Sequence, residues 1–414
     1  MSELELKTQS LKDWMTSWVE VGSFPGLTVG VYNEKNEELF YHSVSNENAY
    51  NRDTLYRIYS MTKPITTVGL LILLERGLVS LDDEVSKFIP AFSKTQVLTG
   101  GTVDNYTTEP LKTPLKIIHL LTHTSGISYA IFGNLLGDQL LKKNIGNDYV
   151  NWFHSTPLET LVDKIAESHL IFQPGTHFHY GLSTDVVGRI IEVISGESLD
   201  NFMLKEIFQP LQMNETFFQV PEDKVSRLAE CYEVTTGHRY KVSENPERDR
   251  VSKPVILAGG GGLVSTLADY SKFACTLLNN GIIGNDPNRR LLREETVALI
   301  SQNHLSNNGN LLDMSFDKGF SEAYGPGLGF GLGVSVIKDP TVVKGGSFAS
   351  AGEYGWGGVA ATSFTIDPVK KVTVIWMTQM IPGAVAYPIR AQARWLVHGW
   401  IDAFQQNEKQ KLQG

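Results

Sequence analysis

The uncharged, largely apolar run from Ile65 to Leu74, closed by Gly77, most narrows what this chain can become. It is too short to cross a bilayer and lacks the charged stripe of a surface helix, so it reads as a helix wrapped by the rest of the protein. Directly ahead of it stand Ser60-Met61-Thr62-Lys63-Pro64, preceded by an extended segment, Leu55 to Tyr59. Pro64 is tolerated there because the first helical amides have no internal partner. Residues three apart share a helix face, so the amine of Lys63 can reach the hydroxyl of Ser60. A buried amine beside a hydroxyl can take its proton and leave a nucleophilic oxygen.

Spacing alone does not make a site. Ser315-Phe316-Asp317-Lys318 has the same pattern but runs into Gly319 and a Gly/Pro-rich stretch, and it reads as surface loop. With 414 residues, 42% hydrophobic and 20% charged, the composition suits a globular enzyme of two domains or one large one. A net charge of -9 argues against nucleic acid or anionic membrane as partners. Cys231 and Cys275 are too few for a disulfide framework or a structural zinc site. Met1 to Gln9 is polar and acidic, without a secretory pattern, so a cytoplasmic protein is the expectation.

The pattern predicts an opening helix over Leu11 to Val21, then strands Leu27 to Tyr32 and Glu38 to Val44 joined as a hairpin. Ser93 to Thr113, rich in Thr and Gly, reads as an exposed loop, and Thr113-Pro114 opens a helix through His123. Helices are expected over Pro157 to Ser168, Asp185 to Ile194, Leu199 to Phe208 and Ala268 to Leu278. Strands are expected over Phe330 to Val336, Gly358 to Ile366 and Val372 to Met377, with a turn at Asp367-Pro368 and a last helix from about Ala386 to Phe404. Strands at both ends imply an α/β class: an antiparallel sheet flanked by helices and built from both termini (1–58 and 255–414), with a mostly helical domain inserted at 59–254.

Other segments carry chemistry. In His177-Phe178-His179-Tyr180, a turn precedes and a helix follows, so the phenol of Tyr180 can point into a cleft and act as a base beside lysine. Trp356-Gly357-Gly358-Val359 opens a strand whose glycines admit a substrate and whose free amides can donate to an oxyanion. His119 with His123, and His177 with His179, have metal-ligand spacing, but no H-E-x-x-H is present and capping or core roles fit better. Gly259 to Gly262 lacks the Lys-Ser or Lys-Thr of a phosphate loop, and no G-x-S-x-G elbow exists. Neither metal nor cofactor is called for.

Ser60-Met61-Thr62-Lys63-Pro64, Leu120 to Gly126, Pro174-Gly175-Thr176 followed by Tyr180, and Gly355 to Val359 occur in an order that resembles the serine β-lactamase and penicillin-binding-protein superfamily. The branch it looks most like is the family VIII carboxylesterases, with a class C β-lactamase-like fold. That resemblance covers about Phe24 to Trp400. It implies Ser60 as acylated nucleophile, Lys63 as its proton partner and Tyr180 as second base. The backbone amides of Ser60 and Val359 would form the oxyanion hole. Trp356, Gly357 and Gly358 would stand where lactamases carry Lys-Thr-Gly, and Tyr129 would border the acyl pocket. Tyr149-Val150-Asn151 matches the lactamase Y-x-N literally, and Lys344-Gly345-Gly346 could pose as the third motif; Tyr180 and Trp356 fit their surroundings better.

Two departures shape the expected substrate. Trp356 supplies no cation for a drug's carboxylate, and Leu182 offers no amide for a lactam side chain. The resemblance therefore implies a serine carboxylesterase acting on uncharged esters of short to medium acyl chains, with weak β-lactam turnover. Acyl transfer to another acceptor, β-lactamase or D-amino-acid peptidase activity, and a non-catalytic binding protein stand as alternatives.

Overall fold

The computed structural model describes residues 1–46, 50–143, 145, 156–235, 238–241, 250–316, 325–346, 348–381 and 388–413. Its centre is a sheet of seven strands: β1 (Gly26–Asn33), β2 (Glu38–Ser45), β3 (Leu328–Phe330), β4 (Ser335–Ile337), β5 (Tyr354–Gly357), β6 (Ser363–Asp367) and β7 (Val372–Met377). They run in the order β2-β1-β7-β6-β5-β4-β3, every neighbour antiparallel. The chain's beginning and end thus meet at the β1–β7 pairing, where Val29 lies opposite Trp376.

Alternation along a strand sends successive side chains to opposite faces, and both faces here are covered. Leu27, Val29 and Val31 of β1, with Val372 and Trp376 of β7, pack with Leu11, Met15 and Val19 of α1 (Glu3–Glu20) and Val397 and Trp400 of a long last helix, Ile389–Gln413. Ile375 and Met377 turn the other way, into the main core beside Tyr270 and Phe273. In the sequence between β2 and β3 come α2 (Thr62–Glu75), α3 (Ser183–Ser195) and α4 (Leu267–Leu278); the last helix is α5. Every residue of α2 from Thr62 to Leu73 is buried, as its composition predicts.

Several expectations need correction. Helix α1 begins at Glu3 rather than Leu11, because Ser2 and Glu5 form a reciprocal cap that holds its exposed first turns. The stretch 93–113 is not plain loop: Val97–Gly101 and Tyr106–Glu109 pair as a hairpin, pinned by a 2.8 Å bond between Thr99 and Thr107 hydroxyls. The helix expected from Thr113 forms only over Ile117–Leu121, since Leu115 and Lys116 are extended against Glu84 and Val85. Phe330 to Val336 is a hairpin, with Gly333 at φ 73 reversing the chain between β3 and β4. Gly358 to Ile366 is likewise a turn followed by β6. The start expected for α5 at Ala386 lies outside the described residues. Among the described residues no helix is long and apolar enough to cross a membrane.

Candidate active site

Ser60 sits in a single 3-10 turn, Tyr59–Met61, that feeds directly into α2. Tyr59 is held at φ 44, a left-handed conformation that a bulky residue adopts only when its surroundings enforce it, at about 1–3 kcal/mol. The enforcing contacts are visible. The Ile58 amide donates to the Leu263 carbonyl at 3.1 Å, the Leu263 amide to the Thr62 hydroxyl at 3.2 Å, and the Tyr270 hydroxyl to the Met61 carbonyl at 3.0 Å. The result is a half-buried serine at the mouth of a buried helix.

Lys63 is 0% exposed, and its amine makes three bonds: to Ser60 Oγ at 3.1 Å, to the Tyr129 hydroxyl at 3.0 Å and to the Gly260 carbonyl at 2.7 Å. The same amine lies 4.6 Å from the centre of the Tyr180 ring. Tyr180 is itself 5% exposed, and its hydroxyl accepts a bond from Trp356 Nε1 at 3.1 Å. The structure therefore brings Ser60, Lys63, Tyr180 and Trp356 together. It places Tyr129 closer to the chemistry than the border position expected for it.

The two tyrosines are carried by segments stitched to each other. Ser128, next to Tyr129, bonds His179, next to Tyr180, at 2.8 Å; the His179 amide donates to the His123 carbonyl at 2.9 Å; and Ser125 and Ser183 hydroxyls meet at 2.8 Å. Gly181 is required where these segments cross, for a Cβ there would lie 2.2 Å from the Ile127 carbonyl oxygen. The literal Y-x-N match at Tyr149 to Asn151 lies outside the described residues, as do Asp317 and Lys318 of the second S-x-x-K. Lys344-Gly345-Gly346 packs on α5 instead, with Arg394 donating to the Lys344 carbonyl at 3.3 Å. Leu182 is 2% exposed and belongs to the apolar core at the start of α3.

His119 caps a helix, and His123 and His179 are buried. His119 accepts the Lys116 amide at 3.1 Å, and burial pushes its pKa down to about 4. His123 is wholly buried, 4.7 Å from the Tyr180 ring; burial first, then the charge of Lys63, holds it well below the usual histidine range. His177 is exposed.

Three features beside Lys63 and Val359 were not assigned there from the sequence. The run Gly259 to Gly262 is the wall behind Lys63. Asp185 is fully buried, with Oδ1 accepting the Gly260 amide at 3.0 Å, and burial lifts its pKa to about 6 against the opposing pull of Lys63. A Cβ on Gly260 would sit 2.5 Å from Asp185 Oδ2, so the glycines are there for close approach of backbone. Four successive glycines were the available signal. Arg390 is the third; its guanidinium holds the turn after β5.

The beta-lactamase family profile matches residues 11–398, and the chain belongs to that family. It is 28% identical to esterase EstB of Burkholderia gladioli over 359 residues, spanning 83% of this chain and 81% of EstB. It is 27% identical to acyltransferase calJ of Penicillium decumbens over 343 residues, 80% of this chain and 77% of that one. Among solved structures it resembles EstCE1, titled a hydrolase with promiscuous acyltransferase activity, with a TM-score of 0.78 at 23% identity over 96% of this chain and 98% of the other. The antiparallel sheet with its helices is thus that of the class C β-lactamase-like fold.

Proposed function

We propose that this protein is a serine hydrolase that cleaves carboxylic esters through an acyl-enzyme on Ser60. The observation that carries the reading is the 3.1 Å bond between the buried Lys63 amine and the Ser60 hydroxyl, closed in by two phenols. In its amine form Lys63 takes the Ser60 proton as Oγ adds to the ester carbonyl. The amides of Ser60 and Val359 stabilise the resulting oxyanion, a contribution of about 3 kcal/mol for each donor in comparable sites. As the C–O bond breaks, the Tyr180 phenol protonates the departing alkoxide. It then draws a proton from water, whose oxygen adds to the acyl carbon; the acid leaves as Lys63 returns its proton to Ser60 Oγ. The esterase name of a 28%-identical relative agrees with this reading.

The substrate class follows from Trp356, which meets Tyr180 where a penicillinase would present a cation. An indole carries no charge to offer a carboxylate, so uncharged esters of short to medium chain are favoured over β-lactams. Acyl transfer to an alcohol is the second reading, favoured by the acyltransferase name of calJ; added alcohol acceptors would then yield new esters faster than free acid. The deciding experiment is mass spectrometry after a fluorophosphonate. An adduct on Ser60 is expected, and its absence would sink the mechanism.

A further inference from the structure

The turn that carries Val359 is gripped from behind. Arg390, on the second residue of α5, donates through Nη2 to the Gly358 carbonyl at 2.5 Å and to the Thr362 carbonyl at 2.9 Å. The Gly358 amide closes the same turn onto the Thr362 carbonyl at 2.8 Å, and Ala361 reverses it at φ 64. The Gly358 carbonyl and the Val359 N–H belong to one planar peptide unit and point in opposite directions. A cation fixed on that oxygen therefore fixes where the N–H points. It also draws electron density toward the oxygen, which leaves the N–H a stronger donor. Among the described residues, the Val359 N–H donates to no acceptor.

Side-chain alternation places this cation behind the strand. Trp356 faces Tyr180, and its neighbour Gly357 faces Arg390: a Cβ on Gly357 would lie 2.5 Å from the guanidinium carbon. Gly358 is equally confined, its would-be Cβ 2.5 Å from the Ile58 carbonyl oxygen and 2.4 Å from Thr362 Oγ1. The two glycines that sequence reasoning reserved for an approaching substrate are crowded by the protein's own atoms. The Ile58 contact also seats the turn directly beside the Tyr59–Met61 segment that bears Ser60.

We infer that Arg390 is a positioning residue for the oxyanion hole, acting through the Gly358–Val359 peptide without touching substrate. This rests on the ester-hydrolase reading above. The test compares Arg390→Met and Arg390→Lys with wild type on a p-nitrophenyl ester, alongside inhibition by an alkyl trifluoromethyl ketone, whose hemiketal with serine carries the oxyanion. Loss of one aligned donor predicts a fall in kcat/KM of about tenfold to a hundredfold in Arg390→Met. The loss should sit in kcat with KM little changed, and ketone affinity should weaken by the same factor. Arg390→Lys should recover part of both, and so should Arg390→Gly supplied with guanidinium.

If kcat/KM and ketone affinity stay within twofold of wild type, the assignment is overturned. It is equally overturned if kcat falls while ketone affinity holds, since the turn would then matter only structurally. Should Arg390→Met fail to fold, Arg390→Lys and the guanidinium-supplied glycine variant decide by the same two readouts. Fluorophosphonate labelling of wild-type Ser60 separates the two levels. No label sinks the hydrolase reading and this assignment with it, whereas normal labelling with unaffected Arg390 variants sinks this assignment alone.

Discussion

Two of the buried charged clusters among the described residues are built oppositely. At the proposed nucleophile, Ser60, the Lys63 amine is surrounded by neutral groups: a serine hydroxyl, a phenol, a peptide carbonyl and the face of a second phenol. A carboxylate acts on it at one remove, Asp185 holding the Gly260 amide while Lys63 holds the Gly260 carbonyl. At the back of the sheet, Glu353 is 1% exposed and directly paired: His398 Nε2 at 2.8 Å, Arg394 Nε at 3.5 Å, with Asp367 on the far side of the same imidazole. A carboxylate held directly by a histidine and an arginine is fixed in place and ties the start of β5 to α5. An amine held by hydroxyls has proton donors and acceptors within hydrogen-bond reach and, among the described residues, no counter-charge bonded to it. The comparison separates a clasp from a machine, although both are equally buried.

The largest expected effect is therefore on activity at the first cluster. Ser60→Ala and Lys63→Met should each lower kcat by at least about a thousandfold, because residues that act as a unit fail together. Circular dichroism should remain that of the wild type. Normal ester turnover by Ser60→Ala would break the comparison outright. Next come the two phenols. Tyr180→Phe and Tyr129→Phe should each cost about a hundredfold, the usual scale of lost acid–base help. Rapid-mixing kinetics should separate them. A burst of released alcohol that survives in one variant but not in the other assigns deacylation to the first phenol and acylation to the second.

How much of this was legible follows from distance along the chain. Ser60 and Lys63 are three residues apart on one helix, so their meeting was written locally. The β1–β2 hairpin and the β6–β7 turn at Asp367-Pro368 were local too. Tyr129 against Lys63 depends on the Ser128–His179 stitch between distant segments, and no spacing reports it. The turn after β5 was misread because Val359, Thr362, Phe364, Thr365 and Ile366 favour strand and no Pro or Asn marks the reversal between them. What breaks it is Ala361 at φ 64, held by Arg390 from far down the chain. The hairpin at 97–109 was missed for the opposite reason: its Thr and Gly look like loop, and its pairing rests on backbone bonds that composition does not show.

The second cluster should affect stability instead. His398→Gln leaves Glu353 buried beside a more distant Arg394, so unfolding should become easier by about 3 kcal/mol, as when one partner of a buried ion pair is removed. Urea titration reads this, while kcat of the folded fraction should hold. Acid should expose a difference in sign between the clusters. Burial pushes Glu353 up, but His398 and Arg394 outweigh it and hold the carboxyl below its ordinary 4.5. Its contribution is thus present above the unfolded value and lost as pH falls through the lower folded one. Asp185 is raised from 3.8 to about 6, so the folded state binds its proton more readily than the unfolded. Its ionisation costs stability fully above about pH 6, and the cost is relieved as pH falls toward 4. Asp185→Asn should therefore flatten the stability profile between pH 4 and 6, and His398→Gln should change it chiefly below that window. A profile unchanged by Asp185→Asn would remove the indirect charge from the first cluster.

Trp356 carries the smallest expected effect, and its variant tests whether neutral contacts suffice at the nucleophile. Trp356→Phe keeps a ring beside Tyr180 but removes the donor to its hydroxyl. A neutral hydrogen bond is worth about 1 kcal/mol, so kcat should change by about fivefold. The larger change should be in preference among acyl chain lengths, because the indole also packs edge-on against Phe330, with ring centres 5.3 Å apart. A panel of p-nitrophenyl esters, run beside nitrocefin, measures both. A fall in kcat as large as that of Tyr180→Phe would make the indole donor part of the proton path, and the phenol alone would no longer account for it.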